Sequence, residues 1–296
     1  MNNNHSFVGS NVALITPMFA DGSVDYDALS NLIDFHIDSG TSSIVSVGTT
    51  GESATVGVKE HLKIINHTVQ YAAKRIPIIA GTGANSTSEA IELTQEALNL
   101  GADACLLVTP YYNKPTQEGL FQHFKLIAES VNIDQILYNV PGRTAVDMSV
   151  DVTSRLSEIP NIIGIKDATG DLLVIEQLVA MCSEDFLLLT GDDATALDFL
   201  IAGGHGGISV TANIAPKELQ KVYLAAIAGN LELAKNLNSK LANFHKNLFI
   251  EANPIPVKWA LHKMGKCKKG IRLPLLELSN EFKIIIENDL QELNLI

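Results

Sequence analysis

Short apolar, β-branched runs recur along the chain at 11–17 (NVALITP), 42–48 (SSIVSVG), 76–81 (IPIIAG), 104–110 (ACLLVTP) and 135–141 (QILYNVP). Three more follow at 161–167 (NIIGIKD), 186–193 (FLLLTGDD) and 206–213 (GGISVTAN). Near-continuous apolar runs of this length read as strands covered on both faces. Between them lie segments with helical spacing of apolar positions, such as VDYDALSNLIDFHIDSG and STSEAIELTQEALNLG. These open near Asp, Ser or Thr and end at glycine, as helix caps require. Eight strand–helix alternations over about 210 residues match a closed α/β barrel, the (β/α)8 or TIM barrel, better than an open doubly wound sheet, because no second domain's worth of sequence interrupts them. The stretch from Pro216 to Ile296 reads as mostly helical, giving the last barrel helix and then an appendage. The expected organisation is a barrel over 1–230 and a C-terminal helical extension over 231–296 packed on it. No linker, charge block or low-complexity tract forces an earlier boundary.

Composition narrows the partners. With 296 residues, 46% of them hydrophobic, the chain can bury a large core. Its 33 acidic against 21 basic residues give a net charge of -12, which disfavours a phosphate-binding surface and hence nucleic acid. Cys105, Cys182 and Cys267 are widely spaced, and Cys105 lies in an apolar run, so neither a disulfide framework nor a zinc site is expected and a reducing cytoplasm is. MNNNHSFVGSN at the start lacks the basic and apolar regions of a signal peptide, and no apolar run approaches a membrane span, so a soluble, unprocessed protein is expected.

Sites in such barrels sit where strands end at their carboxyl side. The polar residues there are Thr16, Thr49, Thr50, Asn85, Tyr111, Tyr112, Tyr138, Arg143 and Lys166. Lys166 follows four non-polar residues, Ile162 to Ile165, where a charged amine must be paired, pushed into water or kept neutral for chemistry. At a dry barrel end such an amine can attack a carbonyl as a Schiff-base nucleophile. The other reading is a structural lysine paired with Asp167 or another carboxylate. Tyr138 is either a core tyrosine bonded to backbone or a proton shuttle beside an imine. GTTGES (48–53) offers two hydroxyls between glycines, suited to a carboxylate or to proton relay, or to a capped tight turn. Arg143, in YNVPGRT, can hold a carboxylate by two hydrogen bonds or make a surface salt bridge.

Other signals fail. GTGANS (81–86) lacks the third glycine of a dinucleotide loop, no phosphate-loop or HExxH pattern occurs, and the histidines do not cluster at ligand spacing. Asp192 and Asp193 have no third ligand nearby in sequence and read as helix caps, so no metal is expected. GGHGG (203–207) directly precedes the eighth strand, where glycine permits close packing.

Taken together and in order, GTTGES, TPYYNKP, YNVPGRT and GIKDATG closely resemble the dihydrodipicolinate synthases, within the pyruvate-dependent class I aldolases that include N-acetylneuraminate lyase. The likeness runs from about Phe7 to NPIPVKW (253–259) and the RLP at 272–274. It implies that Lys166 forms an imine with pyruvate and that the enamine attacks L-aspartate 4-semialdehyde to give 4-hydroxy-tetrahydrodipicolinate, the committed step of diaminopimelate and lysine biosynthesis. No cofactor is implied beyond that covalent imine. The likeness further implies a proton relay of Thr49, Tyr112 and Tyr138, with Tyr112 supplied to a neighbouring subunit's site. It assigns Thr50 to the pyruvate carboxylate, Arg143 to the semialdehyde, and Gly191 and Ile208 to backbone lining the pyruvate pocket. It also implies a homotetramer built from two tight dimers, with feedback by L-lysine at an interface site matching Ser53, Ala54, His61, Asn85, Glu89 and Tyr111. Two departures are Val58, where inhibited members often carry a second histidine, and Gly142, where serine is frequent. Two other readings share the barrel. One is another Schiff-base pyruvate aldolase, such as N-acetylneuraminate lyase or a keto-sugar-acid aldolase, although Arg143 and the doubled Thr49 and Thr50 fit a short acidic aldehyde better. The other is a silent barrel binding a keto acid, for which a full relay would be superfluous.

Overall fold

Eight parallel strands hydrogen-bond in the order of the chain, and the first closes on the last: β1 (Gly9–Ala13), β2 (Ile44–Ser46), β3 (Ile78–Gly81), β4 (Ala104–Val108), β5 (Asp134–Asn139), β6 (Ile162–Asp167), β7 (Leu187–Thr190) and β8 (Gly206–Ser209). This computed structural model describes residues 6–296, so the first five residues of the MNNNHSFVGSN reading lie outside it. The sequence-predicted barrel is therefore observed, with strands shorter than the apolar runs that announced them. Leu14 and Ile15, for example, lie beyond the end of β1 and are buried in the core. An apolar run reports burial, and burial continues where ladder hydrogen bonding stops.

The strands are linked through α1 (Tyr26–Ser39), α2 (Val58–Ala72), α3 (Thr87–Leu100), α4 (Gln117–Ser130), α5 (Pro141–Thr144), α6 (Val150–Ser157), α7 (Leu172–Met181) and α8 (Ala196–Ile201), with α9 (Pro216–Ile227) following β8. Most of the caps of α1 and α3 are those the sequence implies. Asp25 accepts from the Ala28 amide at the start of α1, while Gly40 and Gly101 end α1 and α3 in the left-handed conformation. Ser86 stands at the head of α3 but bonds the Ser88 hydroxyl instead of capping.

Apolar side chains fill three clusters. The barrel interior holds Val45, Ile79, Leu106, Ile136, Tyr138, Leu189 and Ile208. Two larger clusters lie between strands and helices. Each fully buried Leu or Ile contributes about 1.5–3 kcal/mol. The appended helices α10 (Leu231–Ser239), α11 (Ala242–Asn247), α12 (Ile255–Lys263) and α13 (Asn280–Glu292) continue one of these clusters through Leu241, Phe244, Leu261 and Leu290.

Polar contacts tie the extension to the mouth of the barrel. Glu52, between β2 and α2, is fully buried and forms an ion pair with Lys258 of α12, and its second oxygen accepts from the Arg272 amide at 3.1 Å. The Arg272 guanidinium grips Glu60 of α2 through both terminal nitrogens at 2.6 and 2.9 Å, and donates to Gly22 O at 2.7 Å. Thus residues more than 200 positions away hold the loop that carries the GTTGES motif. Among the described residues no helix is long and apolar enough to cross a membrane.

Candidate active site

Lys166 lies near the end of β6 and points into the barrel mouth because of a break in register. Gln135 and Ile136 on β5 are consecutive, but their partners on β6 are Ile162 and Gly164. Ile163 is therefore an extra residue, a bulge, and it shifts every later side chain of the strand by one position. Gly164 suits the bulge, because a Cβ there would lie 2.6 Å from Leu187. Beyond it Lys166 pairs with Tyr138 and shares its face, with Nζ 4.2 Å from the centre of the phenol ring. Lys166 is 6% exposed and, among the described residues, its side chain makes no hydrogen bond or ion pair.

The sequence left open a structural pairing of Lys166 with Asp167, and the structure excludes it. Asp167 is the next residue along the strand and points the other way. It accepts from the Thr169 amide at 3.0 Å and hydroxyl at 2.5 Å, and from Asn139 Nδ2 at 3.3 Å. Burial pushes its carboxyl above the usual range against those hydrogen bonds. Its backbone oxygen also accepts from the Gly191 amide at 2.6 Å. Asp167 thus fixes the loops after β6 and β7, and so places Gly191 against Lys166. A Cβ at Gly191 would stand 2.5 Å from Lys166 Cε, so glycine there gives the lysine side chain its room.

A cavity of about 190 Å³ opens above Lys166, lined among others by Thr49, Thr50, Tyr138, Arg143, Gly191 and Asn253. Thr49 and Thr50 follow β2 on a strained turn, with Val47 (φ 53°) and Glu52 (φ 61°) in the left-handed region that non-glycine residues avoid at a cost of about 1–3 kcal/mol each. Thr16 donates to Gly51 O at 2.7 Å and braces the same turn from β1. Arg143 comes from α5, the single turn after β5, and donates from Nη2 to Asn253 O at 3.2 Å. Ile208 is fully buried on β8, in the barrel interior rather than in the cavity lining. Tyr112 is not brought to the cavity by its own chain: it is 89% exposed, with φ 74°.

A second cavity of about 290 Å³ adjoins the first and shares Thr49, Ser53, His61 and Arg143 with it. It gathers Ser53, Ala54, His61, Glu89 and Tyr111 of the expected lysine set, together with Val58. Asn85 stands behind, donating to Tyr111 O at 3.1 Å and accepting from Asn113 Nδ2 at 2.8 Å. His61 Nε2 lies 2.8 Å from Gly81 O, a partner that can only accept, so Nε2 carries the proton and Nδ1 is the acceptor. Burial holds the His61 imidazole below its usual range and hence neutral.

Sequence reasoning missed Asn253 as a site residue, quoting it only as the start of NPIPVKW, and it missed the Glu52–Lys258 pair. The asparagine before a proline was the one local signal available. Neither aspartate caps α8, whose N-cap is Thr195 without a side-chain cap bond. Asp192 holds the turn before the helix, accepting from the Thr195 amide and hydroxyl at 3.0 and 2.7 Å, and Asp193 crosses to the end of β8, accepting from the Val210 and Thr211 amides at 3.1 and 2.8 Å.

Residues 6–293 match the model of the Dihydrodipicolinate synthetase family. The chain is 63% identical over 293 residues to the 4-hydroxy-tetrahydrodipicolinate synthase of Ruthia magnifica subsp. Calyptogena magnifica, covering 99% of each. It superposes at a TM-score of 0.96, with 56% identity, on the chloride-inhibited dihydrodipicolinate synthase from Acinetobacter baumannii complexed with pyruvate, covering 98% of this chain and 100% of that one. A dihydrodipicolinate synthase from Cyanidioschyzon merolae with lysine bound is likewise similar, at a TM-score of 0.96 and 36% identity over 99% of this chain and 100% of that one.

Proposed function

The chain belongs to the dihydrodipicolinate synthetase family, and from that premise we propose how the cavity above Lys166 condenses pyruvate with L-aspartate 4-semialdehyde into 4-hydroxy-tetrahydrodipicolinate. The observation that carries this reading is a buried lysine with no counter-ion among the described residues, at the floor of a cavity and against a tyrosine ring.

Lys166 Nζ attacks the ketone carbon of pyruvate and water leaves, forming the imine. Loss of a methyl proton gives the enamine, whose carbon attacks the aldehyde carbon of the semialdehyde, and the aldehyde oxygen takes up a proton. The semialdehyde's amine then replaces Lys166 at the imine carbon, closing the ring and freeing the lysine. Tyr138 and Thr49, which share the cavity, exchange the protons. Tyr112 of a neighbouring copy completes the relay, consistent with its exposure on its own chain. Thr50 donates to the pyruvate carboxylate, Arg143 receives the semialdehyde carboxylate, and Gly191 presents backbone to pyruvate, while Ile208 lies beneath the cavity in the barrel interior. Chain residues thus supply the nucleophile and the proton carriers, and the imine itself is the electron sink, so no resident cofactor is needed.

The need for Tyr112 in trans argues for a homo-oligomer, which we assign as a tetramer of paired dimers. The protein works in the cytoplasm, and we divide it into a barrel over 1–230 and a helical extension over 231–296. The test mixes the purified protein with both substrates and an excess of the NADPH-dependent reductase that consumes the product. NADPH loss dependent on both substrates is expected. A folded protein that gives none, yet releases pyruvate from a sugar acid, would move the function to the aldolase reading.

The second cavity is the seat of feedback by L-lysine. Glu89 suits the ammonium, while Ser53, Tyr111 and the neutral His61 offer hydrogen bonds to the rest of the ligand. Millimolar L-lysine is expected to slow the same coupled reaction. A rate unchanged by lysine would remove this site, and Val58 would be the first residue to suspect.

A further inference from the structure

The segment that enters α12 grips the β2 turn at two points. Asn253 Nδ2 donates to Thr50 Oγ1 at 2.9 Å, and Lys258, five residues on, pairs with Glu52 two residues on. The same Asn253 accepts from Arg143 Nη2 at its backbone oxygen, 3.2 Å away. One buried residue of the extension therefore touches both side chains assigned to the two substrates, and it lines the cavity that holds Lys166.

The direction of the Thr50 bond matters. A hydroxyl has one proton and two lone pairs. An amide N–H can only donate, so Asn253 occupies a lone pair of Oγ1 and leaves the O–H to be directed elsewhere. Among the described residues Thr50 Oγ1 has no other hydrogen-bond partner, and Thr50 faces the cavity. Its proton is available to an acceptor on a ligand there. A carboxylate accepts only, so it matches.

We propose that Asn253 is a positioning residue for pyruvate: it fixes the Thr50 hydroxyl as a donor into the cavity, while its backbone sets the distance to Arg143. The C-terminal extension thereby takes part in substrate binding. This inference rests on the assignment of pyruvate to the cavity above Lys166.

The test compares wild type, Asn253→Ala, Asn253→Asp, Thr50→Val and the Asn253→Ala/Thr50→Val double variant. The readout is the pyruvate dependence of the lysine adduct trapped by borohydride, which needs no semialdehyde. Asn253→Ala is expected to raise the half-saturating pyruvate concentration about tenfold, the effect of losing one hydrogen bond, with the same extent of trapping at saturation. Asn253→Asp keeps the shape but becomes an acceptor. It should draw the Thr50 proton to itself, place an anion near the substrate carboxylate and raise the value further. The double variant should be no weaker than Thr50→Val alone, because Asn253 acts through Thr50. An unchanged pyruvate dependence in either Asn253 variant, or losses that multiply in the double, overturns the proposal. Should Asn253→Ala not fold, the isosteric aspartate variant decides. Absence of a trapped adduct in wild type would instead refute the assignment of pyruvate to the cavity.

Discussion

Replacing Lys166 by alanine is expected to lower kcat/KM by a factor of about 10³ or more while leaving the melting temperature within a few degrees of wild type. The loss is large because the imine splits one difficult carbon–carbon bond formation into easier steps, and no neighbouring amine can substitute. Lys166 faces the open cavity, while the other lysine buried near the barrel mouth, Lys258, is committed to Glu52. The fold should survive because the Lys166 side chain makes no hydrogen bond or ion pair among the described residues and rests against the Tyr138 ring. Removing an uncompensated buried amine relieves a desolvation cost and so offsets the lost packing. Borohydride with pyruvate should label wild type at Lys166 and leave the variant unlabelled. A variant that turns over near the wild-type rate would end the Schiff-base reading.

The second large effect concerns stability. Lys258→Met should destabilise the protein by about 3–5 kcal/mol, since it strands the Glu52 carboxylate without its counter-charge in a fully buried place. Burial already draws the Lys258 ammonium below its usual range although the Glu52 carboxylate pulls the other way, so desolvation is the larger force on this lysine. The pair thus supplies placement more than net stability: removing both charges with Glu52→Leu and Lys258→Met should recover much of the loss, whereas either change alone should not. Because Glu52 sits two residues after Thr50 in a left-handed conformation, the single variant should also weaken pyruvate trapping. Thermal unfolding of wild type, both single variants and the double variant measures this. A Lys258→Met melting temperature equal to wild type would show that Glu52 finds another partner or takes up a proton at no cost.

Much of the fold was legible because barrel strands are buried on both faces, so each writes itself as a continuous apolar run. The strand ends were not legible for the same reason, as Leu14 and Ile15 show: they remain buried after the ladder has stopped. Lys166 stood out in the sequence as a charge closing an apolar strand, and Arg143 as a guanidinium on a proline-bearing turn. Tyr112 stood among the strand-end residues, but its relay role came only through family likeness, and its own chain leaves it in solvent.

What the sequence by itself determined was the alternation of strand and helix, the closed barrel it implies, and the residue types standing at the strand ends, because these follow from local periodicity and from the cost of burying charge. The direction in which Lys166 points was decided by the bulge at Ile163, a property of how β6 registers on β5 and not of either strand alone. The partners of Thr50 and Glu52, Asn253 and Lys258, lie 203 and 206 residues away from them, a separation across which no local pattern carries information. Only closure of the barrel and docking of the extension brought them together, because hydrogen bonds and ion pairs act over a few ångströms of space whatever length of chain separates the partners.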